Sequence, residues 1–93
     1  MQRTVLLLNH KIRECGVYQY GKRLGDVLVA ASPQRRFDVA YVYEEVASYE
    51  EYVGALDKHK EGLVAVLFNY HLSTMPWLTL YNLRRETKSF GIL

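Results

Sequence analysis

The chain has 93 residues, of which 49% are hydrophobic and 24% are charged. This length supports one small domain with a single core, and this composition excludes intrinsic disorder over most of the chain. Twelve basic and ten acidic side chains give a net charge of +2. Their mixed distribution argues against nucleic acid and anionic lipid as partners, because neither sign of charge is concentrated in one patch.

Cysteine usage and hydropathy give first expectations about the compartment. Cys15 is the single cysteine, so the chain cannot form an internal disulfide. Small domains without disulfides are typical of the cytoplasm, where we expect this one. Apolar runs such as residues 5–8 and 63–68 are far shorter than the roughly 20 residues that span a bilayer, so we expect no membrane span.

Four apolar runs predict β-strands, at residues 3–9, 37–43, 63–68 and 89–93. The first run is apolar without alternation, which is typical of a strand buried on both faces of a parallel sheet. The second is rich in aromatic and β-branched residues and is predicted to stop before Glu44 and Glu45. The third is predicted to stop before Asn69.

Helical patterns lie between these runs. The first helix is predicted to follow Gly16 and to end before Pro33. Ser48 and Glu51 have the spacing of a capping box at the start of a second helix. A third helix is predicted to begin near Pro76, since proline is favoured in the first turn. The apolar stripe predicted for the first helix consists of Val17, Tyr20, Leu24, Val27, Leu28 and Ala31.

The order of these elements predicts one α/β domain over residues 1–93. Each helix is long enough to return the chain to a parallel neighbouring strand. We therefore predict a three-layer Rossmann-like domain with a parallel sheet of three to four strands, in the order 3-2-1-4, flanked by helices.

The carboxyl ends of parallel strands are where open α/β sheets bind ligands, and polar side chains follow each predicted strand. His10 is the candidate general base, because it follows the first strand directly and histidine is the residue type most often used in that role. We expect His10 and His71 to face one crevice, although two loop histidines bonded to the backbone are an alternative interpretation. The candidate ligand-binding residues are Asn9, Gly16, Tyr18, Glu44, Asn69, Tyr70 and His71.

Cofactor motifs are incomplete. Gly16 and Gly21, followed by Lys22, have the glycine spacing of a phosphate-binding P-loop, but Arg23 replaces the required hydroxyl residue. No spacing brings the histidines and Cys15 together as metal ligands. The sequence therefore predicts neither a cofactor nor a metal.

Residues 9–24, NHKIRECGVYQYGKRL, resemble the opening of GT-B glycosyltransferases of the family 4 and family 1 type. Those proteins often begin with a strand and a polar loop, followed by a Gly-Val pair that starts an amphipathic helix. Residues 69–77, NYHLSTMPW, are similar to the third strand-to-helix loop of that family, where a histidine is common. The resemblance implies an acceptor-side, Rossmann-like half of an enzyme that transfers a sugar from a nucleotide-sugar donor.

In that family the donor binds a second Rossmann half, and its E-x₇-E motif cannot be placed in these 93 residues. The resemblance therefore implies the N-terminal part of a larger protein, inactive by itself. We also expect the chain to self-associate or to be marginally stable. The alternative is a stand-alone Rossmann-like binding or interaction module without enzyme activity. A flavodoxin-like phosphoacceptor domain is disfavoured, because Asn69 stands where an aspartate is needed.

Overall fold

A computed structural model of the chain describes residues 3–31, 39–70, 75–86 and 90–92. Strands and helices alternate along the chain, as predicted, and form an α/β fold. The elements are β1 (Arg3–Asn9), α1 (Gly16–Ala31), β2 (Val39–Glu45), α2 (Tyr49–Lys58), β3 (Leu63–Phe68), α3 (Leu80–Glu86) and β4 (Phe90–Ile92). In this described part, every helix is too short or too polar to cross a membrane.

The four strands form one parallel sheet in the order β2-β1-β3-β4. The predicted order 3-2-1-4 is wrong, because the chain crosses back over β1 after β2 and pairs β3 with the other side of β1. Leu6 of β1 thus lies between Val42 of β2 and Val66 of β3. β1 and β3, which carry the longest apolar segments among the strands, lie inside the sheet, and β2, with its tyrosines and glutamates, lies at an edge.

Two element boundaries differ from the predictions. β2 extends through Glu45, so the two glutamates end the strand and point to opposite faces of the sheet instead of lying in a loop. α3 begins at Leu80, and Pro76 lies in a turn that precedes it. The Thr79 hydroxyl accepts the backbone N–H of Asn82 at 3.1 Å and so caps the first turn of α3.

The predicted cap of α2 is present with one change of partner. The Ser48 hydroxyl accepts the backbone N–H of Glu51 at 3.2 Å, as the capping box requires. The Glu51 carboxylate accepts the N–H of Ala47 at 2.8 Å, one residue before the usual partner, and also meets the Lys11 amine at 2.9 Å. These hydrogen bonds hold the pKa of Glu51 below its usual value, and the bond from Lys11 has the larger effect.

The main apolar core lies on the face of the sheet that carries α2, here called the core face. Tyr52 of α2 is fully buried, and its ring lies 5.8 Å from the rings of Phe68 and Trp77. Leu6 and Leu8 of β1 pack beneath it and are at most 1% exposed. Other members of this buried cluster are Val46, Ala55, Leu56, Val66, Met75 and Leu78.

The opposite face of the sheet, here called the α1 face, is packed through small residues. A Cβ atom at Gly21 would lie 2.2 Å from Asn69 Nδ2, and one at Gly25 would lie 2.5 Å from Tyr43 Cδ1. These glycines let α1 lie close to the sheet. The prediction that the apolar stripe of α1 faces the sheet is therefore wrong: Tyr20 is 57% exposed and Val27 is 64% exposed.

Candidate ligand site at the carboxyl edge of the sheet

A pair of buried asparagines joins the ends of β1 and β3. Asn69 Nδ2 donates to Asn9 Oδ1 at 2.9 Å and to the carbonyl of Val17 at 2.6 Å. Asn9 Nδ2 donates to the carbonyl of Tyr18 and to the Tyr43 hydroxyl, both at 3.0 Å. Because these bonds reach the first turn of α1, the pair fixes the start of that helix over the sheet. Both side chains act as supports for the site, since their amide protons are committed to the protein itself.

Glu45 ends β2 on the α1 face and accepts hydrogen bonds from two tyrosine hydroxyls. Tyr18 donates to Glu45 Oε2 at 2.5 Å, and Tyr43 donates to the same oxygen at 2.7 Å. Tyr43 also accepts from Asn9, so a continuous chain of hydrogen bonds runs from Asn69 through Asn9 and Tyr43 to Glu45. One carboxylate oxygen is thereby held in place by two side chains from different elements.

The two tyrosines remain donors throughout the physiological pH range. The hydrogen bond to Glu45, followed by burial, raises the pKa of Tyr18 above its usual value of 10.0. For Tyr43, burial is the main cause of a raised pKa; the bond from Asn9 opposes the shift, and the bond to Glu45 adds to it. Both shifts favour the protonated phenol, which is the form that donates to a carboxylate.

The second oxygen of Glu45, Oε1, lies nearest an arginine. In the described part of the chain, the group facing Oε1 is the Arg13 guanidinium, at 3.8 Å, which is longer than a hydrogen bond. The Arg13 side chain is 78% exposed and the Glu45 side chain 17%. Arg13 also lies over the Tyr18 ring, with 6.0 Å between its central carbon and the ring centroid. The site therefore offers one acceptor held in place and one movable cationic donor.

His10 follows β1 directly and is almost fully buried, at 1% exposure. Its Nδ1 accepts the backbone N–H of Ile12 at 3.2 Å, which places the proton of the neutral imidazole on Nε2. Its ring meets the edge of the Tyr18 ring at 5.8 Å. The lone pair that a general base needs is therefore occupied, and a base role for His10 requires the Ile12 bond to open first.

The structure separates the other candidate residues. Glu44 lies on the opposite side of β2 from Glu45 and bonds Lys58 at 2.8 Å and His59 at 2.7 Å. Burial alone would raise the pKa of Glu44, but these bonds outweigh it and leave the pKa lowered. Tyr70 packs against the apolar cluster of the core face.

The remaining candidates are Gly16 and His71. Gly16 starts α1 as predicted, and a Cβ atom there would meet nothing within 4 Å. Its backbone therefore makes no close approach that requires glycine. His71 lies outside the described residues, so its expected proximity to His10 stays a prediction.

The sequence does not single out Tyr43 as a site residue, and it presents Glu45 only as one of a pair with Glu44 in a predicted loop. The signal was in the sequence, because Tyr43 and Glu45 are two apart and so share one face of a strand. Reading the strand as ending at Tyr43 concealed this relation. Asn9 and Tyr18, both candidates, are brought to the same cluster by β1 and α1.

No family model, curated protein or solved structure matches the chain. The GT-B resemblance of residues 9–24 and 69–77 therefore stays a prediction. Among the residues that the structure describes, no three histidine, cysteine, aspartate or glutamate side chains are grouped as metal ligands would be.

Proposed function

We propose that the chain is the acceptor-side, Rossmann-like part of a glycosyltransferase, and that the carboxyl edge around Glu45 binds a hydroxyl-rich acceptor. The observation that carries the proposal is the Glu45 carboxylate, whose Oε2 is held by two tyrosine hydroxyls while Oε1 faces the exposed Arg13. Ligands of open α/β sheets bind at this edge.

The chemistry of this edge suits a sugar. Each sugar hydroxyl both donates and accepts, and Glu45 and Arg13 offer an acceptor and a donor side by side. In dinucleotide-binding sheets, an acidic residue holds a ribose hydroxyl in an analogous way. Because the hydrogen bonds to Oε2 already hold the Glu45 side chain in one orientation, less conformational entropy is lost when a ligand binds to Oε1.

The donor side of the reaction would lie elsewhere. The resemblance implies a second Rossmann half for the nucleotide sugar, and the glycines at positions 16 and 21 fall within α1, not in a phosphate-binding loop. We therefore expect the 93-residue chain to bind acceptor-like glycosides, to bind no nucleotide sugar and to transfer no sugar. Because His10 is buried against the Tyr18 ring, in the whole enzyme it would act on the acceptor through Tyr18, whose hydroxyl bonds Glu45.

A matched pair of glutamates tests the proposal. Saturation-transfer NMR with a panel of methyl glycosides should detect binding to the unmodified chain. Glu45→Gln should weaken that binding about tenfold, which corresponds to the roughly 1.4 kcal/mol of one charge-assisted hydrogen bond. Glu44→Gln, on the neighbouring residue but the other face, should leave it unchanged. Equal loss in both variants, or micromolar binding of a nucleotide sugar instead, would overturn the proposal.

A further inference from the structure

One flank of α1 carries apolar side chains that point away from β2. The opposite flank faces β2: the Lys22 amine lies 5.0 Å from the centre of the Tyr43 ring, and Gly25 packs on the same ring. These contacts define how α1 is rotated about its axis. On a helix with 3.6 residues per turn, Tyr20 and Val27 then lie on the flank toward β3. Both are more than half exposed, at 57% and 64%.

The sheet beside this flank is also incompletely covered. Leu67 of β3 pairs with Leu7, and Gly91 of β4 pairs with Leu67, so all three share the α1 face. Leu7, under α1, is 3% exposed, whereas Leu67 and Gly91 are only half-buried. Parallel sheets are normally covered by helices on both faces. In the described part of the chain, the β3–β4 half of this face lacks such a helix.

The exposed flank forms a groove of about 380 Å³, here called the α1 groove. Its lining residues recur every three or four positions over about three turns of helix, the spacing that a second helix recognises. Arg23 is the single charged residue among the described lining residues. The neighbouring charges Lys22 and Asp26 lie outside the groove and pair with each other at 3.0 Å. The lining residues are Gly16, Gln19, Tyr20, Arg23, Leu24 and Val27.

We propose that the α1 groove binds an amphipathic helix of a partner polypeptide, with an apolar stripe against Tyr20, Leu24 and Val27 and a carboxylate facing Arg23. The position of Arg23 argues against a second copy of this chain as the occupant. Arg23 lies at the middle of α1, so a two-fold antiparallel pairing along the groove would bring two Arg23 side chains together. Like charges in one interface oppose such pairing, whereas an acidic flank is attracted.

The test uses two stapled synthetic helices with the same leucine and alanine stripe, one flanked by glutamates and one by lysines. Fluorescence anisotropy with the 93-residue chain should show at least tenfold tighter binding of the glutamate-flanked helix. Arg23→Glu should reverse that preference. Tyr20→Ser and Val27→Ser should each weaken binding of the glutamate-flanked helix at least tenfold. These three side chains are exposed, so the variants should fold, which circular dichroism checks.

Val29→Ser is the matched control, because Val29 is an exposed apolar residue of α1 that does not line the groove. It should leave binding unchanged. The proposal is overturned if neither helix binds, if Arg23→Glu leaves the preference as it was, or if Val29→Ser weakens binding as much as Val27→Ser. It is also overturned if sedimentation shows a dimer of the chain that Tyr20→Ser dissociates, since the occupant would then be a second copy.

Discussion

The core face and the α1 face of the same sheet are built on different physical principles. On the core face, Tyr52, Phe68 and their neighbours exclude water through large apolar side chains. On the α1 face, glycines bring the helix close, and the contact is completed by hydrogen bonds among Asn9, Asn69 and Tyr43. Apolar packing is tolerant of position, whereas hydrogen bonds require defined geometry. The first face therefore supplies most of the stability, and the second holds a carboxylate in a fixed orientation.

Replacing one tyrosine on each side of the sheet by alanine should give the largest difference in stability. Tyr52→Ala removes a fully buried ring from the core face and should cost about 3–5 kcal/mol, a large part of the roughly 5–15 kcal/mol that stabilises a typical domain. Tyr20→Ala, at an exposed position of α1, should change the free energy of unfolding by less than about 0.5 kcal/mol. Urea unfolding measures both. Similar losses in the two variants would contradict the assignment of stability to the core face.

The close approach of α1 is tested by a pair of helical glycines. Gly21→Ala places a methyl group against the Asn69 amide and should destabilise the chain by about 1–3 kcal/mol. Gly54→Ala, in α2 with open space around it, should stabilise by about 0.5–1 kcal/mol through helix propensity. Thermal unfolding compares them. A stabilising Gly21→Ala would mean that α1 lies farther from the sheet than described.

Alkaline pH should weaken the α1 face selectively. The pKa of Tyr43 is raised in the folded state, so its contribution to stability is fully present below the ordinary tyrosine value of 10.0 and declines as the pH rises past it. Tyr43→Phe removes this titration, and the variant should lose less stability between neutral pH and pH above 10.0 than the unmodified chain. Urea midpoints at both conditions give the comparison; Tyr81→Phe, at a 61% exposed position, is the control.

The bounds of β1 and β3 follow from the sequence, because uninterrupted apolar segments such as residues 5–8 and 63–68 are stable only when both faces of the strand are covered. The predicted bounds of β1 and β3 are confirmed, and the fourth predicted strand contains β4. The strand order was not predictable from spacing, since a crossover of given length reaches either side of β1. The buried face of α1 was misjudged because hydrophobic periodicity favours Tyr20 and Val27, while the actual contact depends on glycines, which carry no hydropathy signal.

The candidate site shows the same division. Asn9, His10 and Asn69 are predictable from the sequence because they end or directly follow apolar strands, and strand ends meet at one edge. Glu44 and Glu45 could not be distinguished while both were placed in a loop. Only the extension of β2 through Glu45 sends one carboxylate to the tyrosines and the other to Lys58 and His59.

The claim that the α1 face holds a ligand-binding carboxylate is tested most directly by mapping a glycoside titration onto backbone amide shifts by NMR. The account predicts shifts concentrated at residues 10–13 and at Tyr18, Tyr43 and Glu45, with Glu44, His59 and the rest of the core face unchanged. These shifts should disappear in Glu45→Gln. Shifts that centre on Glu44 and His59, or that persist unchanged in Glu45→Gln, would contradict it.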